Sequence, residues 1–295
     1  MTYPGELAAL AAALCWAATG LFFTEAARRI GATAVNLLRL PIAWVLLSTA
    51  IVASGTSLAS LDGGRVLLLA LSGLLGLTLG DLALFAALVR IGPRLSSLLM
   101  ALAPAFATLA GLAILGERPT LRALAGMATT LGGVAWVVGE RTPGTPSAPG
   151  RGRAVALAVV AAACQGVGLV LAKRGMAGEV PPLAATWVRM GVATLGMGAL
   201  ALGSGRLAGF SLSDLLRRAA RPVLGGAVFG PFVGVWLSLV AARYADVAVA
   251  ATLMATTPVL IIPLLVWHEG YRPTWRAVLG ASVTVVGVAL LFWKK

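Results

Sequence analysis

Charged residues are scarce in this sequence. They form 11% of its 295 residues, against about 25% in an ordinary soluble domain, whereas hydrophobic residues form 59%. A soluble core could not absorb that much apolar surface. Apolar runs such as 66–89 and 247–267 contain about 20 or more residues, enough to cross a hydrocarbon layer of about 30 Å as an α-helix. The composition therefore predicts an all-α integral membrane protein.

Histidine, cysteine and membrane-embedded acids are also rare, and each shortage argues against a class of site. His268 is the only histidine and there is no HExxH motif, so the ligands of a zinc protease are missing. Thr78 to Asp81 read TLGD, one glycine short of the GxGD of intramembrane aspartyl proteases, and no second mid-span aspartate could share a proton. Cys15 and Cys164 lie in apolar runs and predict no disulfide or metal site. We expect no enzymatic activity, metal or cofactor, although proton coupling stays open.

Acidic residues are outnumbered, since the chain has 23 cationic and 10 acidic side chains and a net charge of +13. All the cations except Arg39 and Arg189 lie in or beside the short connections between apolar runs, where lipid headgroups attract them. No basic-aromatic surface patch accompanies the charge. The lipid bilayer is therefore an expected partner, and nucleic acid is not.

The sequence contains an internal repeat. RPTLRALAG, which starts at Arg118, recurs as RPTWRAVLG from Arg272, 154 positions later. The same offset relates Gly76 and Gly80 to Gly230 and Gly234, and Pro104 to Pro258. A duplicated membrane protein usually places its working site where the two copies meet.

Charges, prolines and glycines divide the chain into ten predicted spans: 6–26, 33–54, 66–89, 93–115, 120–139, 154–173, 182–204, 222–242, 247–267 and 273–293. The polar stretch 140–153, which contains TPGTPSAPG, has the composition of a linker and separates five spans from five. Because five is odd, the second copy must enter the bilayer upside down. The predicted fold is two inverted five-helix repeats, 1–139 and 154–295, around a central cavity.

Glycines and prolines that affect the backbone recur at matching positions in both halves. Glycines at four-residue spacing predict close helix packing, at Gly76, Gly80, Gly230 and Gly234. Pro104 and Pro258 interrupt the fourth and ninth predicted spans, and each removes a backbone hydrogen bond. The paired prolines are candidate hinges of a rocking transporter, with a static kink as the alternative.

Three charged residues lie well inside predicted spans, away from their ends. Asp81 must face water, a partner or a proton, because an ionised carboxylate in a bilayer is costly. It could couple protons, bind a substrate amine, or bond a neighbouring helix, and its repeat mate is Val235. Arg39 and Arg189 are equivalent at an offset of 150. They either snorkel to headgroups or, at opposite mouths of a cavity, anchor carboxylates or close ion-pair gates.

Polar and aromatic residues elsewhere in the spans suggest the lining of a mildly polar cavity. Each is weak evidence alone, since tryptophan also marks membrane interfaces and threonine also bonds its own helix. A small neutral or zwitterionic solute would suit such a lining. With Asp81, the candidates are Trp16, Thr19, Asn36, Thr78, Phe85, Gln165, Thr186, Trp187, Trp236, Thr256 and Thr257.

Several strings resemble the ten-helix EamA-type branch of the drug/metabolite transporter superfamily. They include ALCWAATG, LFAALVRIGPRLSSLLMALAP and LGERPTLRALAGMATTLGGV, with Glu117 and Pro119, and later LVAARYADVAVAATLMATTP and HEGYRPTWRAVLGASVTVVGV. Gln165 stands where the first unit has Trp16, and Glu269 is four residues before its proline instead of two. The resemblance implies a secondary carrier with alternating access. It extends to a YddG-like subgroup whose members export amino acids.

Charge counting and resemblance disagree about orientation. With a cytoplasmic N-terminus, eight cations of the connections would lie inside and thirteen outside, so positive-inside counting favours both ends outside. The resemblance implies both termini in the cytoplasm, and we favour that orientation.

The leading hypothesis is an exporter of amino acids or similar metabolites in a bacterial inner membrane, with a small-molecule substrate. Its oligomeric state is open and a monomer is compatible. Multidrug or quaternary-cation efflux is the first alternative, since it needs an acid within an aromatic cage. A passive channel and a non-transporting scaffold are the others.

Overall fold

The computed structural model describes residues 3–139, 151–203, 212–269 and 273–292. In these ranges the backbone is almost entirely helical, because a chain in hydrocarbon must satisfy its N–H and C=O groups within each segment. The helices are α1 (Pro4–Ile30), α2 (Ala32–Ser54), α3 (Gly63–Gly73), α4 (Asp81–Met100), α5 (Ala103–Ala110), α6 (Leu121–Gly139), α7 (Arg151–Gly175), α8 (Pro182–Gly203), α9 (Leu212–Ala227), α10 (Val235–Tyr244), α11 (Val247–Met254), α12 (Thr257–Glu269) and α13 (Trp275–Phe292).

These helices form ten apolar segments in the part of the chain that the structure describes. Within the described ranges nine are long and apolar enough to cross a bilayer, and Leu121–Val137 is a shorter apolar helix. The third segment joins α3 to α4, the eighth joins α9 to α10, and the ninth joins α11 to α12. The all-helical membrane fold with ten segments is thus confirmed.

Two π-helical turns lie at matching positions in the two halves. They occupy Leu74–Gly80 and Val228–Gly234, which the 154-residue offset relates residue by residue. A third π turn, Gly111–Leu115, has no such counterpart, since the matching stretch belongs to α12. The repeat seen in the sequence is therefore also a repeat of local backbone irregularities.

The fourth and ninth segments are broken at equivalent places. A two-residue turn follows Met100 in the first half and Met254 in the second. Pro104 and Pro258 therefore lie in the first turn of α5 and α12, where the missing N–H costs no helical hydrogen bond. The expected interruption is a break between two helices at both prolines.

The contact between α6 and α13 shows that the copies are inverted. A Cβ atom at Gly133 would lie 2.5 Å from the Thr284 backbone nitrogen, and one at Gly287 would lie 2.4 Å from the Thr130 nitrogen. Thr130 and Gly133 are the repeat mates of Thr284 and Gly287, so the two helices exchange the same contact. Early residues of α6 meet late residues of α13, as in Gly126 with Leu291, so the helices run antiparallel.

The other contacts also cross between the halves. The first helix, α1, packs against α9 to α12 of the second half, and its counterpart α7 packs against α3 to α5 of the first. Helix α2 packs against α8. The two repeats interlock, and their inner helices surround the centre of the molecule.

Two connections are described only in part. Residues 140–150 of the proposed linker lie outside the described ranges, and residues 151–153 already belong to α7. In the connection 205–221 the helix α9 begins at Leu212 and is kinked at Ala219, whose φ is −140° and ψ is 17°.

Candidate functional site

A cavity of about 450 Å³ lies between the two halves. Its wall comes from both copies and includes both helix breaks, through Pro104 and Pro258. Of the twelve binding residues proposed from the sequence, five line it: Trp16, Thr19, Asp81, Gln165 and Thr257. Arg39, Arg189 and Gly230 line it too. A central cavity of this size is sufficient for a small metabolite.

Asp81 is held in a buried ion pair at the start of α4. The residue is 7% exposed, and its Oδ2 atom accepts a hydrogen bond from Nη2 of Arg39. Its other oxygen accepts a hydrogen bond from Gln165 Nε2 at 3.3 Å, and the same amide donates to the Gly76 carbonyl at 3.1 Å. The carboxylate therefore links α2 of the first half to α7 of the second.

Arg39 is itself fixed by several neighbours. Its Nε donates to Asn36 Oδ1 at 2.8 Å, one turn earlier on α2. Its guanidinium carbon lies 5.4 Å from the ring centroid of Phe85 and 6.0 Å from that of Phe23. Such cation–π contacts are strongest where water is excluded, so they hold the Arg39 guanidinium in place in the cavity wall.

Arg189 is the most buried charge in the cavity wall. It is 3% exposed, and within the described part of the chain its Nε and Nη1 atoms have no hydrogen-bond partner. Its backbone is pressed against α3, because a Cβ at Gly73 would lie 2.5 Å from the Arg189 carbonyl oxygen. Arg189 is also near enough to Asp81 for the two charges to interact.

Neither arginine extends to the surface to snorkel to headgroups, since the Arg39 side chain is 13% exposed and Arg189 is 3% exposed. Their roles as carboxylate anchors or ion-pair gates stay predictions. Both line one cavity and both interact electrostatically with Asp81. The inverted repeat places equivalent residues near the same central point when they lie close to the pseudo-twofold axis.

The glycines predicted to pack helices lie at the closest approaches beside the cavity. A Cβ at Gly230 would lie 2.8 Å from Thr19 Cγ2, and one at Gly234 would lie 2.6 Å from Trp16 Nε1. In the first half, a Cβ at Gly76 would lie 3.4 Å from Arg189 Nη2, and one at Gly80 would lie 3.2 Å from Cys164 Cβ. These glycines leave room for the side chains of α1, α7 and α8.

Seven expected binding residues, all within the described ranges, do not line this cavity: Asn36, Thr78, Phe85, Thr186, Trp187, Trp236 and Thr256. Asn36 and Phe85 support Arg39 from behind. Trp187 donates to Ser48 Oγ at 2.8 Å and contacts Trp44, so it joins α8 to α2. Thr78 faces Gly196 of α8, where a Cβ would lie 3.1 Å from its hydroxyl oxygen.

The remaining three residues are Thr186, Thr256 and Trp236, and the two threonines form hydrogen bonds within their own turn. Thr186 donates to the Pro182 carbonyl and Thr256 to the Leu253 carbonyl, both at 2.7 Å and both within one helical turn. Trp236 is half-buried. Threonine hydroxyls that bond their own helix explain why the sequence alone overestimated the polar lining.

The cavity also contains residues that the sequence analysis missed. Phe23 lies on the same face of α1 as Trp16, Thr19 and Gly20, so helical spacing could have found it. Ser96 lines the wall too, and among described atoms its buried hydroxyl has no hydrogen-bond partner. Only the packing of the helices identifies Ser96.

A second polar cluster closes the face of the molecule where α1 begins. Glu117 pairs with Lys173 at 2.6 Å, and its other carboxylate oxygen accepts the Val247 backbone N–H at 2.8 Å. Lys173 also donates to the Ala245 carbonyl at 2.7 Å. Val247 begins α11, so a carboxylate of the first half caps a helix of the second. We call these four residues the Glu117 cluster.

Comparisons with known proteins agree with this architecture. The EamA-like transporter family matches the sequence twice, over residues 3–139 and 152–293. A solved structure, described as the crystal structure of a protein, superposes with a TM-score of 0.79 at 23% sequence identity, covering 99% of this chain and 97% of its own. No curated protein matches the chain. At that identity the solved structure bears on the fold alone.

The family matches nearly the whole chain, once in each five-helix repeat. Its members are membrane transporters, which accounts for a cavity enclosed by apolar helices. The chain therefore belongs to the EamA-like transporter family of the drug/metabolite transporter superfamily, and it is a multi-pass membrane transporter.

Proposed function

We propose that the protein is a secondary carrier that exports amino acids or similar small metabolites from a bacterial cell across the inner membrane. The observation that carries the proposal is the central cavity, which is lined by side chains from both halves and by both helix breaks. Substrate would contact Trp16, Thr19, Gln165 and Thr257. An aromatic surface beside hydrogen-bonding groups suits a small amphipathic solute.

Alternating access is the mechanism that this arrangement supports. An inverted repeat can exchange the conformations of its two halves, which opens one face of the cavity while the other closes. The Glu117 cluster is a set of bonds that would break and reform in that exchange. The breaks before Pro104 and Pro258 supply two symmetric places for the helices to bend.

Asp81 is our candidate for proton coupling. Protonation would remove the charge that holds Arg39, so uptake of one proton and rearrangement of α2 against α4 would be linked. The pair lies in the cavity wall, where substrate and proton could compete for it.

The test is transport in reconstituted vesicles. Initial uptake of radiolabelled amino acids should saturate with concentration, and Asp81→Asn should reduce it by about tenfold or more, because the amide neither takes up a proton nor forms an ion pair with Arg39. Glu25→Gln, which removes an exposed ion pair with Arg29, should leave the rate unchanged. Unaltered flux in Asp81→Asn would remove the coupling role, and non-saturating flux would favour a channel.

Efflux of quaternary cations is the alternative that the aromatic residues suggested. It is less favoured, because Asp81 is already paired with Arg39 and a second cation, Arg189, lies nearby. A permanent cation entering the cavity would meet no free carboxylate among the described lining residues. Dye efflux that depends on Asp81 would reverse this preference.

A further inference from the structure

We propose that Arg189 binds a carboxylate of the transported solute. This assignment deepens the proposed transport function and rests on it, since it assumes that the solute enters the central cavity. It narrows the substrate class to solutes that carry a carboxylate, including amino acids, and away from solutes that lack one.

The first argument is that the Arg189 guanidinium is buried and lacks hydrogen-bond acceptors. Arg189 is 97% removed from solvent, being 3% exposed, and in the described structure its Nε and Nη1 atoms find no acceptor. Leaving a buried hydrogen-bond donor without an acceptor costs more folding free energy than a satisfied hydrogen bond contributes, and the cost is greatest when the donor is charged. Because Arg189 also lines the cavity, a ligand that brings an acceptor would supply the hydrogen bonds that the guanidinium lacks.

The second argument comes from the repeat. In the first half, Arg39 on the second segment pairs with Asp81 on the third. In the second half, Arg189 occupies the position equivalent to Arg39, and the position equivalent to Asp81 is Val235. Val235 lines the same cavity. The second copy therefore keeps the cation of the pair and lacks its anion.

The third argument is the charge of the whole cavity. The charged groups among its described lining residues are Arg39, Arg189 and Asp81, so one positive charge is left unbalanced. Helices α5 and α12 begin at the cavity wall, and a helix N-terminus carries roughly half a positive charge. Both contributions favour a solute with a negative group.

Carboxylate is the anion that fits the remaining constraints. A guanidinium presents a planar fork of donors whose spacing matches the two oxygens of a carboxylate. The cavity of about 450 Å³ holds a molecule of amino-acid size. One unbalanced charge calls for a monoanionic group.

The test is ligand binding to the purified full-length chain, measured by thermal shift and by titration calorimetry. Probes are the neutral L-amino acids and, for each one that stabilises the protein, its amide, which keeps the side chain and loses the carboxylate. The wild-type chain should bind at least one amino acid and bind its amide about 10- to 100-fold more weakly. Arg189→Gln should remove that difference. Arg90→Gln, which alters an exposed arginine bonded to its own helix, should preserve it.

A second variant covers the case in which Arg189→Gln fails to fold. Val235→Asp places a carboxylate where the repeat lacks one, so it should pair with Arg189 inside the protein. We expect this variant to keep or raise the melting temperature and to lose the preference for carboxylates by a similar factor. Val235→Leu, which adds bulk without charge, is its matched control.

The proposal is overturned if no amino acid stabilises the wild-type protein, if amides bind as well as acids, or if Arg189→Gln or Val235→Asp keeps the wild-type preference. These outcomes are separate from failure of the transport function. If vesicles show no saturable flux but binding depends on Arg189, the transport proposal is overturned and the carboxylate site at Arg189 stands. If flux is saturable but does not depend on a carboxylate in the solute, the transport proposal stands and the carboxylate site is overturned.

Discussion

Single glycines determine how closely the cavity-bearing helices approach each other. Gly230 and Gly234 face Thr19 and Trp16 at distances that leave no room for a methyl group without movement. These contacts lie beside the cavity, so a larger residue would displace its lining as well as the helix. At this scale stability and binding depend on the same atoms.

We expect Gly230→Leu to destabilise the protein and to weaken solute binding. The added side chain must displace Thr19, and overpacking a close contact costs about 1–3 kcal/mol. The matched control is Gly132→Leu, because a Cβ at Gly132 meets nothing within 4 Å. Folded yield on size-exclusion chromatography and the melting temperature measure the effect. Equal behaviour of the two variants would contradict the packing role.

The helix breaks belong to the scale of elements. The chain interrupts its fourth and ninth segments at equivalent residues, and both breaks line the cavity. Proline at the first turn of α5 and α12 prevents the preceding helix from continuing, because it lacks the N–H donor and its ring clashes with the turn before it. The break is thus a local consequence of one residue in each half.

The double variant Pro104→Ala and Pro258→Ala should transport about tenfold more slowly. Alanine permits a continuous helix, which proline disfavours by about 3 kcal/mol. If about half of that energy is added to the barrier for the conformational exchange, the exchange slows about tenfold. Solute affinity should change little. Pro182→Ala, at the start of α8 where proline is tolerated, serves as the control. A double variant with the initial rate of this control would show that the breaks are static.

At the scale of the whole molecule, the two repeats are joined by contacts that cross between them. The α6 and α13 pair is closely packed through glycine and threonine, which suits a permanent contact. The Glu117 cluster instead joins the halves through one ion pair and one backbone hydrogen bond, and Lys173 adds a hydrogen bond to Ala245 within the second half. Such bonds can be exchanged for water without opening an apolar gap, so this face is suited to open and close.

Weakening the Glu117 cluster should expose the cavity from the face where α1 begins. In a background without Cys15 and Cys164, a cysteine at Ser238 reports on access, because Ser238 lines the cavity. Glu117→Gln should raise its labelling rate by a membrane-impermeant thiol reagent about tenfold, for a loss near 1–2 kcal/mol in a partly exposed pair. Glu25→Gln, remote from the cavity, should not change it. An unchanged rate in Glu117→Gln would mean that the cluster does not hold this face closed.

The sequence also predicted parts of the site, within limits that the structure explains. It found Asp81, Arg39 and Arg189, because charges inside apolar runs are conspicuous whatever their partners. It also named Trp187 and Thr78, which the structure places between α8 and the helices of the first half. In a helix bundle a polar side chain can face the cavity or a neighbouring helix. The sequence of its own helix does not show which of the two it faces.

The number of segments, their breaks and the inverted repeat were determined by the sequence itself. Each follows from a property that acts along the chain: the length of an apolar run, the missing N–H of proline, and an odd number of crossings in each half. Only the tertiary structure decided which helix faces meet. It brought Arg39 to Asp81 and left Arg189 without an acceptor in the described structure, because those outcomes depend on how distant helices rotate against one another.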